Sequence, residues 1–274
     1  MAQRPPADFE AGKRGESELN NPVIVATNHK TGTVWMKEVF TAIAEHLCVP
    51  FGLFDEKAEP DILDQAPQIL FCNSAGRGLC SWMAKHPWWR VMHIIRDPRD
   101  VIISAMHYHC TATESWLHQT RADLGGLTYQ QKLKSLPDDH RRYLFEMNRK
   151  SRRTIQSIRK WNYALPNSVE CKYEELIEDI QGVAFRRCAA ELGFAGKELL
   201  TCEEIFREKS LFSKTSVQEK AHVRSGRTRQ WEKVFDAYLA REFMNRFGNI
   251  LAELNYESDN SWVSRLGEHA ASAE

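Results

Sequence analysis

The sequence predicts an α/β fold with a central, mostly parallel sheet covered by helices on both faces. Short apolar runs of strand length recur at residues 22–28, 68–72, 91–95 and 168–171. Several pass directly into segments with helical periodicity, as strand-helix units do. The runs are apolar nearly throughout rather than alternating, which is what strands buried on both faces require. In such a sheet, ligands bind beyond the carboxyl ends of the strands.

Residues 1–20 are polar and carry Pro5, Pro6, Gly12 and Gly15, so they read as a flexible leader. The fold starts with PVIVATN, Pro22 to Asn28, as a buried strand. From Thr33 to Leu47, the residues Val34, Val39, Phe40, Ile43, Ala44 and Leu47 recur at helical spacing. Gln68 to Cys72 and Val91 to Ile95 are the next strands, and Pro98 suits the first position of a helix reaching His109. Cys110 to Pro137, with Gly125 and Gly126, reads as a mobile excursion with one short helix and a candidate lid. Tyr143, Leu144, Met147, Ile155, Ile158 and Trp161 form a stripe that implies one helix from His140 to Ala164. Ser168 to Cys171 follows as a strand, with a helix from Tyr173 and a closing helix from Asp236 to Leu254. The expected organisation is a leader (1–20), a single domain (21–256) and a loose tail (257–274).

Composition removes several function classes. At 274 residues the chain can bury a substantial core. Lys plus Arg and Asp plus Glu both number 37, so no global field favours nucleic acid or a membrane, and any anion site must be local. No stretch reaches the roughly 18 to 20 apolar residues of a membrane span, and the start has no hydrophobic signal-peptide centre. These features predict a soluble, cytoplasmic protein. The seven cysteines (Cys48, Cys72, Cys80, Cys110, Cys171, Cys188 and Cys202) are scattered and form no CxxC pair. That pattern argues against a disulfide framework and a zinc site, and most of the seven are expected to be buried thiols.

The most informative stretch is NHKTGTVW, Asn28 to Trp35, where the first strand meets the first helix. Amides at a helix start have no partner within the helix and converge on a small volume that favours an anion. Gly32 permits close approach, Thr31 and Thr33 bring hydroxyls, and Lys30 adds a positive charge. The order GxxxxGK[ST] of nucleoside-triphosphate loops is not met, which disfavours an ordinary ATPase. A helix start with a threonine cap is the plain structural alternative. A second stretch, VMHIIRDPRDVIISAMHYH, puts Arg96 at a strand end and Ser104 two turns into the following helix, a guanidinium and a hydroxyl suited to another anionic group. Read plainly, RDPRD is a strand-end turn in which Asp97 and Asp100 pair with Arg99.

Together these stretches resemble the PAPS-dependent sulfotransferases of the cytosolic type. HKTGTVW is similar to the family's 5′-phosphosulfate loop, Pro-Lys-Ser-Gly-Thr-Thr-Trp, and RDPRDVIISAMHYH to its 3′-phosphate segment. HVRSGRTRQWEKVF resembles the late Arg-Lys-Gly loop that ends in tryptophan, and KYEEL the Tyr-Glu-Asp-Leu segment after a strand. The four matches fall in the family's order between residues 22 and 254.

The resemblance implies a P-loop-like three-layer α/β/α fold. It further implies transfer of a sulfuryl group from PAPS (3′-phosphoadenosine 5′-phosphosulfate) to a hydroxyl or amine of a small-molecule acceptor, releasing adenosine 3′,5′-bisphosphate. Lys30, Thr31, Gly32 and Thr33, with the loop continuing through Val34 and Trp35, would hold the phosphosulfate. Arg96, Ser104, Arg224, Ser225 and Gly226 would hold the 3′-phosphate, and Trp35 and Tyr173 would flank the adenine. Lys30 would also meet the charge that builds on the leaving phosphate, and no metal is required. Val34 replaces the family's second threonine, and Arg229 replaces a common glycine.

The catalytic base departs from the pattern. Cytosolic members carry a histidine in Thr/Ser-His-Leu-Pro after the second strand, where this chain reads ILFCNSAGRG, with Asn73 and Ser74. Other branches use a glutamate, so Asp55 and Glu56 in FGLFDEKAEP are the favoured candidates. His29, His107 and His109 are the alternatives; His107 and His109, at i and i+2 on a helix, face different directions. The basic run Arg141 to Lys160 reads as a solvated helix face. Two competing functions remain: a PAPS- or bisphosphate-binding protein without catalysis, and a P-loop small-molecule kinase. The acceptor's identity and the oligomeric state, a homodimer included, stay open.

Overall fold

The computed structural model describes residues 21–54, 69–210 and 227–271. In chain order the helices and strands are β1 (Val23–Ala26), α1 (Thr33–His46), β2 (Phe51–Phe54), β3 (Ile69–Cys72), α2 (Arg77–Lys85), β4 (Arg90–Ile95) and α3 (Pro98–Thr111). They continue with α4 (Tyr129–Lys134), α5 (Asp139–Asn148), α6 (Lys150–Arg159), β5 (Ser168–Lys172), α7 (Tyr173–Glu178), α8 (Val183–Glu191) and α9 (Gly196–Glu208). The last are α10 (Trp231–Val234), α11 (Ala237–Phe247), α12 (Ile250–Glu253) and α13 (Trp262–Ala271). The chain divides into two compact units, Met1–Arg96 with Lys160–Gly226, and Asp97–Arg159 with Arg227–Glu274. Among the described residues no helix is long and apolar enough to cross a membrane, and no His, Cys, Asp and Glu group is placed to hold a metal.

The first unit contains the sheet, five parallel strands in the order β2-β3-β1-β4-β5. The chain leaves β1 toward β3 and β2 on one side and returns on the other side through β4 and β5. The ends of β1 and β4 are therefore neighbours at the switch point, with Ala26 opposite His93. Side chains alternate between two cores. Val23, Val25, Met92 and Ile94 pack against Phe40 and Ile43 of α1, Phe185 of α8 and Phe206 of α9. Ile24, Ala26, Leu70 and Val91 face Leu79 and Met83 of α2, with Trp161 and Leu165. Burial on both faces explains why the central strands are apolar at successive positions, each large side chain contributing about 1.5–3 kcal/mol.

One residue breaks that rule. His93, in the apolar run of β4, is 0% exposed, and neither ring nitrogen has a hydrogen-bond partner among the described residues. Its ring stacks on Trp161 with centroids 4.1 Å apart. Burial pulls its pKa down from 6.5 to about 3, so the imidazole is held neutral and acts as a flat core side chain.

The second unit is helical and organised around buried charge. Arg99 is 1% exposed, paired with Asp97 at 2.7 Å and Glu257 at 2.8 Å, with its guanidinium 3.5 Å from the Trp231 ring centroid and 4.7 Å from that of Trp262. Burial works against its charge, but the two carboxylates outweigh that and raise its pKa. Asp97 therefore pairs with Arg99 as the turn reading expects, whereas Asp100 instead accepts from the Trp231 amide at 3.0 Å. A second buried group joins α3 to α4, α5 and α6: Glu146 meets His109 Nδ1 at 2.6 Å and accepts from the hydroxyls of Tyr129 at 3.1 Å and Ser151 at 3.0 Å.

Several elements differ from the sequence reading. Beside the one short helix expected there, α4, which opens with a capping box at Thr128 and Gln131, the candidate lid holds two short 3-10 turns, Ser115–His118 and Ala122–Leu124. The single helix expected over residues 140–164 is two, broken at Arg149 (φ −121°, ψ −111°). The closing helix is likewise interrupted at Gly248, φ 60°. Part of the expected loose tail is α13, anchored by Trp262 at 1% exposure. Five cysteines remain thiols, of which Cys72, Cys80 and Cys202 are buried, whereas Cys171 of β5 and Cys188 of α8 form a disulfide whose separation of 17 residues carries no spacing signal.

His93 makes the first unit sensitive to acid. Between its folded value of about 3 and its unfolded value of 6.5, the unfolded chain binds one more proton. Stability therefore falls as pH drops through that window, by about 1.4 kcal/mol per pH unit. In denaturant titrations at pH 7 and pH 5, the wild type is expected to lose about 2 kcal/mol more than His93→Phe. Equal losses in the two proteins would contradict this account.

Candidate active site

The turn after β1 is shaped by its own hydrogen bonds. The Thr27 amide still donates to the Cys72 carbonyl at 2.8 Å, continuing the sheet. The chain then curls around the Asn28 carbonyl, which accepts from the Thr31 amide at 3.1 Å and from the hydroxyls of Thr31 and Thr33 at 2.9 Å each. The Thr31 hydroxyl also accepts from the Asn28 amide at 2.9 Å. Thr31 is fully buried, so its hydroxyl braces the loop and presents nothing outward.

This brace imposes unusual backbone conformations. Lys30 has φ 68°, a left-handed conformation that costs a non-glycine residue about 1–2 kcal/mol. Gly32 has φ 97°, and a Cβ there would lie 3.0 and 3.3 Å from two carbons of the Tyr173 ring. Glycine is required both for the backbone turn and for the close approach of that ring.

Gly32 is also the N-cap of α1, and among the described residues no side chain caps it. The first intrahelical bond runs from the Met36 amide to the Gly32 carbonyl at 3.0 Å. The amides of Thr33, Val34 and Trp35 thus have no partner inside the helix, and the first turn carries no acidic residue. The start of α1 is not capped by a threonine, and an uncapped helix start beside Lys30 has the chemistry to take an anion. Because the Val34 side chain is exposed, Val34 can serve this site through its amide.

Arg96 reaches the same loop from the end of β4. Its Nη1 donates to the Lys30 carbonyl at 3.1 Å across 66 residues of sequence, and its guanidinium lies 4.4 Å from the Tyr173 ring centroid. Tyr173 opens α7 directly after β5 and meets Trp35 edge-on, centroids 6.2 Å apart. The Trp35 indole N–H donates to the Lys209 carbonyl at 2.9 Å. Lys30, Gly32, Trp35, Arg96 and Tyr173 therefore form one contiguous cluster in the first unit.

The remaining sequence candidates fall elsewhere. Ser104 and His107 are partly exposed on α3 of the second unit and share one helix face at i and i+3. His107 Nε2 lies 3.4 Å from the Tyr143 hydroxyl. His109 is fully buried against Glu146, and His29 is partly exposed in the loop. Asn73 and Ser74 are exposed in the bend after β3. Asp55, Glu56, Arg224, Ser225 and Gly226 lie outside the described residues. Arg229 adopts φ 53°, the left-handed region where glycine is favoured, which accounts for the residue it replaces in the family loop.

The basic run at 141–160 pairs with acids outside itself: Arg141 with Asp138, Arg142 with Asp139, Arg149 with Asp123 and Arg159 with Glu253. Its solvated-face reading fits those pairs.

A parallel sheet that feeds an uncapped helix through a glycine turn, with an arginine delivered from the adjacent strand, defines an α/β protein built to hold a phosphorylated ligand at its strand ends. The chain belongs to the sulfotransferase domain family, which it matches over residues 20–255. Among solved structures it resembles mouse sulfotransferase SULT7A1 complexed with PAP, with a TM-score of 0.56 at 18% identity over 92% of this chain and 89% of that one. It also resembles retinol dehydratase in a complex with retinol and PAP, with a TM-score of 0.52 at 16% identity over 85% of this chain and 83% of that one. At such identities these likenesses establish the P-loop-like α/β/α fold. No curated protein sequence matches the chain.

Substituting Gly32→Ala forces alanine into a left-handed backbone and its Cβ onto Tyr173, and is expected to cost about 1–3 kcal/mol of stability. Val34→Ala, at an exposed side chain, serves as the control and should melt within about 0.5 kcal/mol of wild type. Thermal melts showing equal stability for all three proteins would contradict the loop geometry.

Proposed function

We propose that this sulfotransferase moves a sulfuryl group from PAPS to a hydroxyl or amine of a small-molecule acceptor and releases adenosine 3′,5′-bisphosphate. One observation carries the reading: the Arg96 guanidinium, from a distant part of the sequence, bonds to the backbone carbonyl of Lys30 beside an uncapped helix start whose loop is already held in shape. A nucleotide with negative charge at both ends fits that arrangement, and charge-assisted hydrogen bonds of this kind are each worth about 1.5–3 kcal/mol. The reading is supported by family membership and by the two solved structures above, which hold PAP, one of them together with retinol.

The roles divide as follows. PAPS, when bound, supplies an activated sulfuryl group. The amides of Thr33 to Trp35 and the Lys30 ammonium hold its 5′-phosphosulfate, and Lys30 stabilises the negative charge that develops on the leaving phosphate in a loose, in-line displacement. Arg96 takes the 3′-phosphate, a role that the family resemblance extends to Ser104, Arg224, Ser225 and Gly226. Trp35 and Tyr173 provide the aromatic seat for adenine. Asp55 or Glu56 removes the acceptor's proton, with His107 as the alternative base. The likeness to cytosolic-type enzymes supports a cytoplasmic location.

The test is incubation with sulfur-labelled PAPS and a panel of phenols, alcohols and amines. Wild type is expected to move label onto at least one acceptor. Lys30→Ala should reduce transfer by at least about 100-fold while changing bisphosphate affinity by less than about tenfold, because its main partner is the reacting end. Label that stays on the donor across the panel would favour a binding protein, and near-normal turnover in Lys30→Ala would remove that residue from the mechanism.

A further inference from the structure

In the second unit, α3 is closed to anions at its start and open to them along one side. The Asp97 side chain caps the start by accepting from the Arg99 amide at 2.9 Å, and Asp100 puts a second carboxylate in the first turn. A phosphate on this helix must therefore be taken by side chains further along. Several of those are engaged within the chain. Arg99 lies buried between Asp97 and Glu257, the Tyr108 hydroxyl donates to Glu114 at 3.0 Å, His109 meets Glu146, and the Thr111 hydroxyl bonds back to the carbonyls of His107 and Tyr108. Ser104 and His107 complete the set. Both are partly exposed, and they stand one turn apart on one helix face, with about 5–6 Å between their β-carbons.

The contact that His107 makes with Tyr143 decides what its ring can offer. Nε2 lies 3.4 Å from the Tyr143 hydroxyl, and the rings meet edge to face with centroids 6.3 Å apart. Tyr143 is 5% exposed and fixed in α5, so it orients the imidazole. A phenol is a stronger acid than a neutral imidazole, so the hydroxyl donates to Nε2 and the ring carries its own proton on Nδ1. A general base needs a lone pair at the reacting proton, whereas a ring nitrogen that bears a proton suits an anion. Protonation of the imidazole keeps Nδ1 a donor and adds a positive charge.

We propose that His107 is a further ligand of the 3′-phosphate, donating from Nδ1 to the group that Ser104 holds, with Tyr143 orienting it. The inference rests on the proposed function, which gives Ser104 that phosphate. It makes His107 a determinant of nucleotide specificity, favouring a nucleotide phosphorylated at both ends over one phosphorylated at the 5′ end alone, rather than the group that takes the acceptor's proton.

Calorimetry with adenosine 3′,5′-bisphosphate and with adenosine 5′-monophosphate reads that preference as a ratio of two affinities. His107→Ala is expected to weaken bisphosphate binding by about tenfold and monophosphate binding by less than about twofold. His107→Asn, whose side-chain amide takes the place of Nδ1, should stay within about threefold of wild type for both nucleotides. Circular dichroism of each variant verifies that the fold is retained. A bisphosphate preference kept in full by His107→Ala, or lost to the same extent in His107→Asn, would overturn the inference. So would a His107→Ala protein that loses transfer with its nucleotide preference intact. A wild type that does not prefer the bisphosphate would overturn the proposed function and this inference with it.

Discussion

The carbonyl oxygen of Asn28 is the point on which the strand-end site depends. By accepting from the Thr31 amide and from two threonine hydroxyls, it bends the chain through a left-handed Lys30 and a left-handed Gly32 and releases it into α1. The hydroxyls thus stabilise the loop, while the start of α1 remains uncapped and its first amides have no partner within the helix. A cradle formed in this way needs little reorganisation when an anion arrives, which is the property electrostatic catalysis requires. Arg96 bonds to the same loop through the Lys30 carbonyl, so anything that unwinds the Asn28 turn also displaces the second cation.

The two units treat buried titratable groups in opposite ways. In the sheet, His93 has no bonded partner among the described residues and remains neutral, its imidazole stacked on Trp161. In the helical unit, Arg99 keeps its charge between Asp97 and Glu257, and His109 is matched to Glu146. Both follow from the same penalty: a charge removed from water must be paired or given up. These buried groups tie α3 to its neighbours, through Asp100 to Trp231 and through His109 to α5. Removing Asp97 and Glu257 would leave the Arg99 guanidinium buried and unpaired, so that group is held together by mutual need.

The sequence made the central strands and the loop after β1 readable because their signals are local. Strands β1, β3 and β4 are apolar runs, and the loop from Asn28 to Trp35 brings its lysine, threonines and glycine in consecutive positions. Elements whose identity depends on distant neighbours were harder to read. The edge strand β2 is a half-buried stretch, and α2, α8 and α9 mix polar and apolar residues without a clean start signal. The helix break at Arg149 has no proline or glycine to announce it. His93 was hidden inside an apolar run, and the bond between Cys171 and Cys188 is set by the packing of α8 on β5. The roles expected of the threonine hydroxyls could not be settled by spacing, since the same residues serve a ligand or the loop depending on where the Asn28 carbonyl points.

Isothermal calorimetry with adenosine 3′,5′-bisphosphate and, separately, with ATP and magnesium tests most directly whether the loop and Arg96 grip a nucleotide charged at both ends. The expected result is saturable binding of the bisphosphate, weakened at least about tenfold in Arg96→Ala, with much weaker binding of ATP whether or not magnesium is present. Preferential, magnesium-dependent binding of ATP, or a bisphosphate affinity indifferent to Arg96, would contradict it.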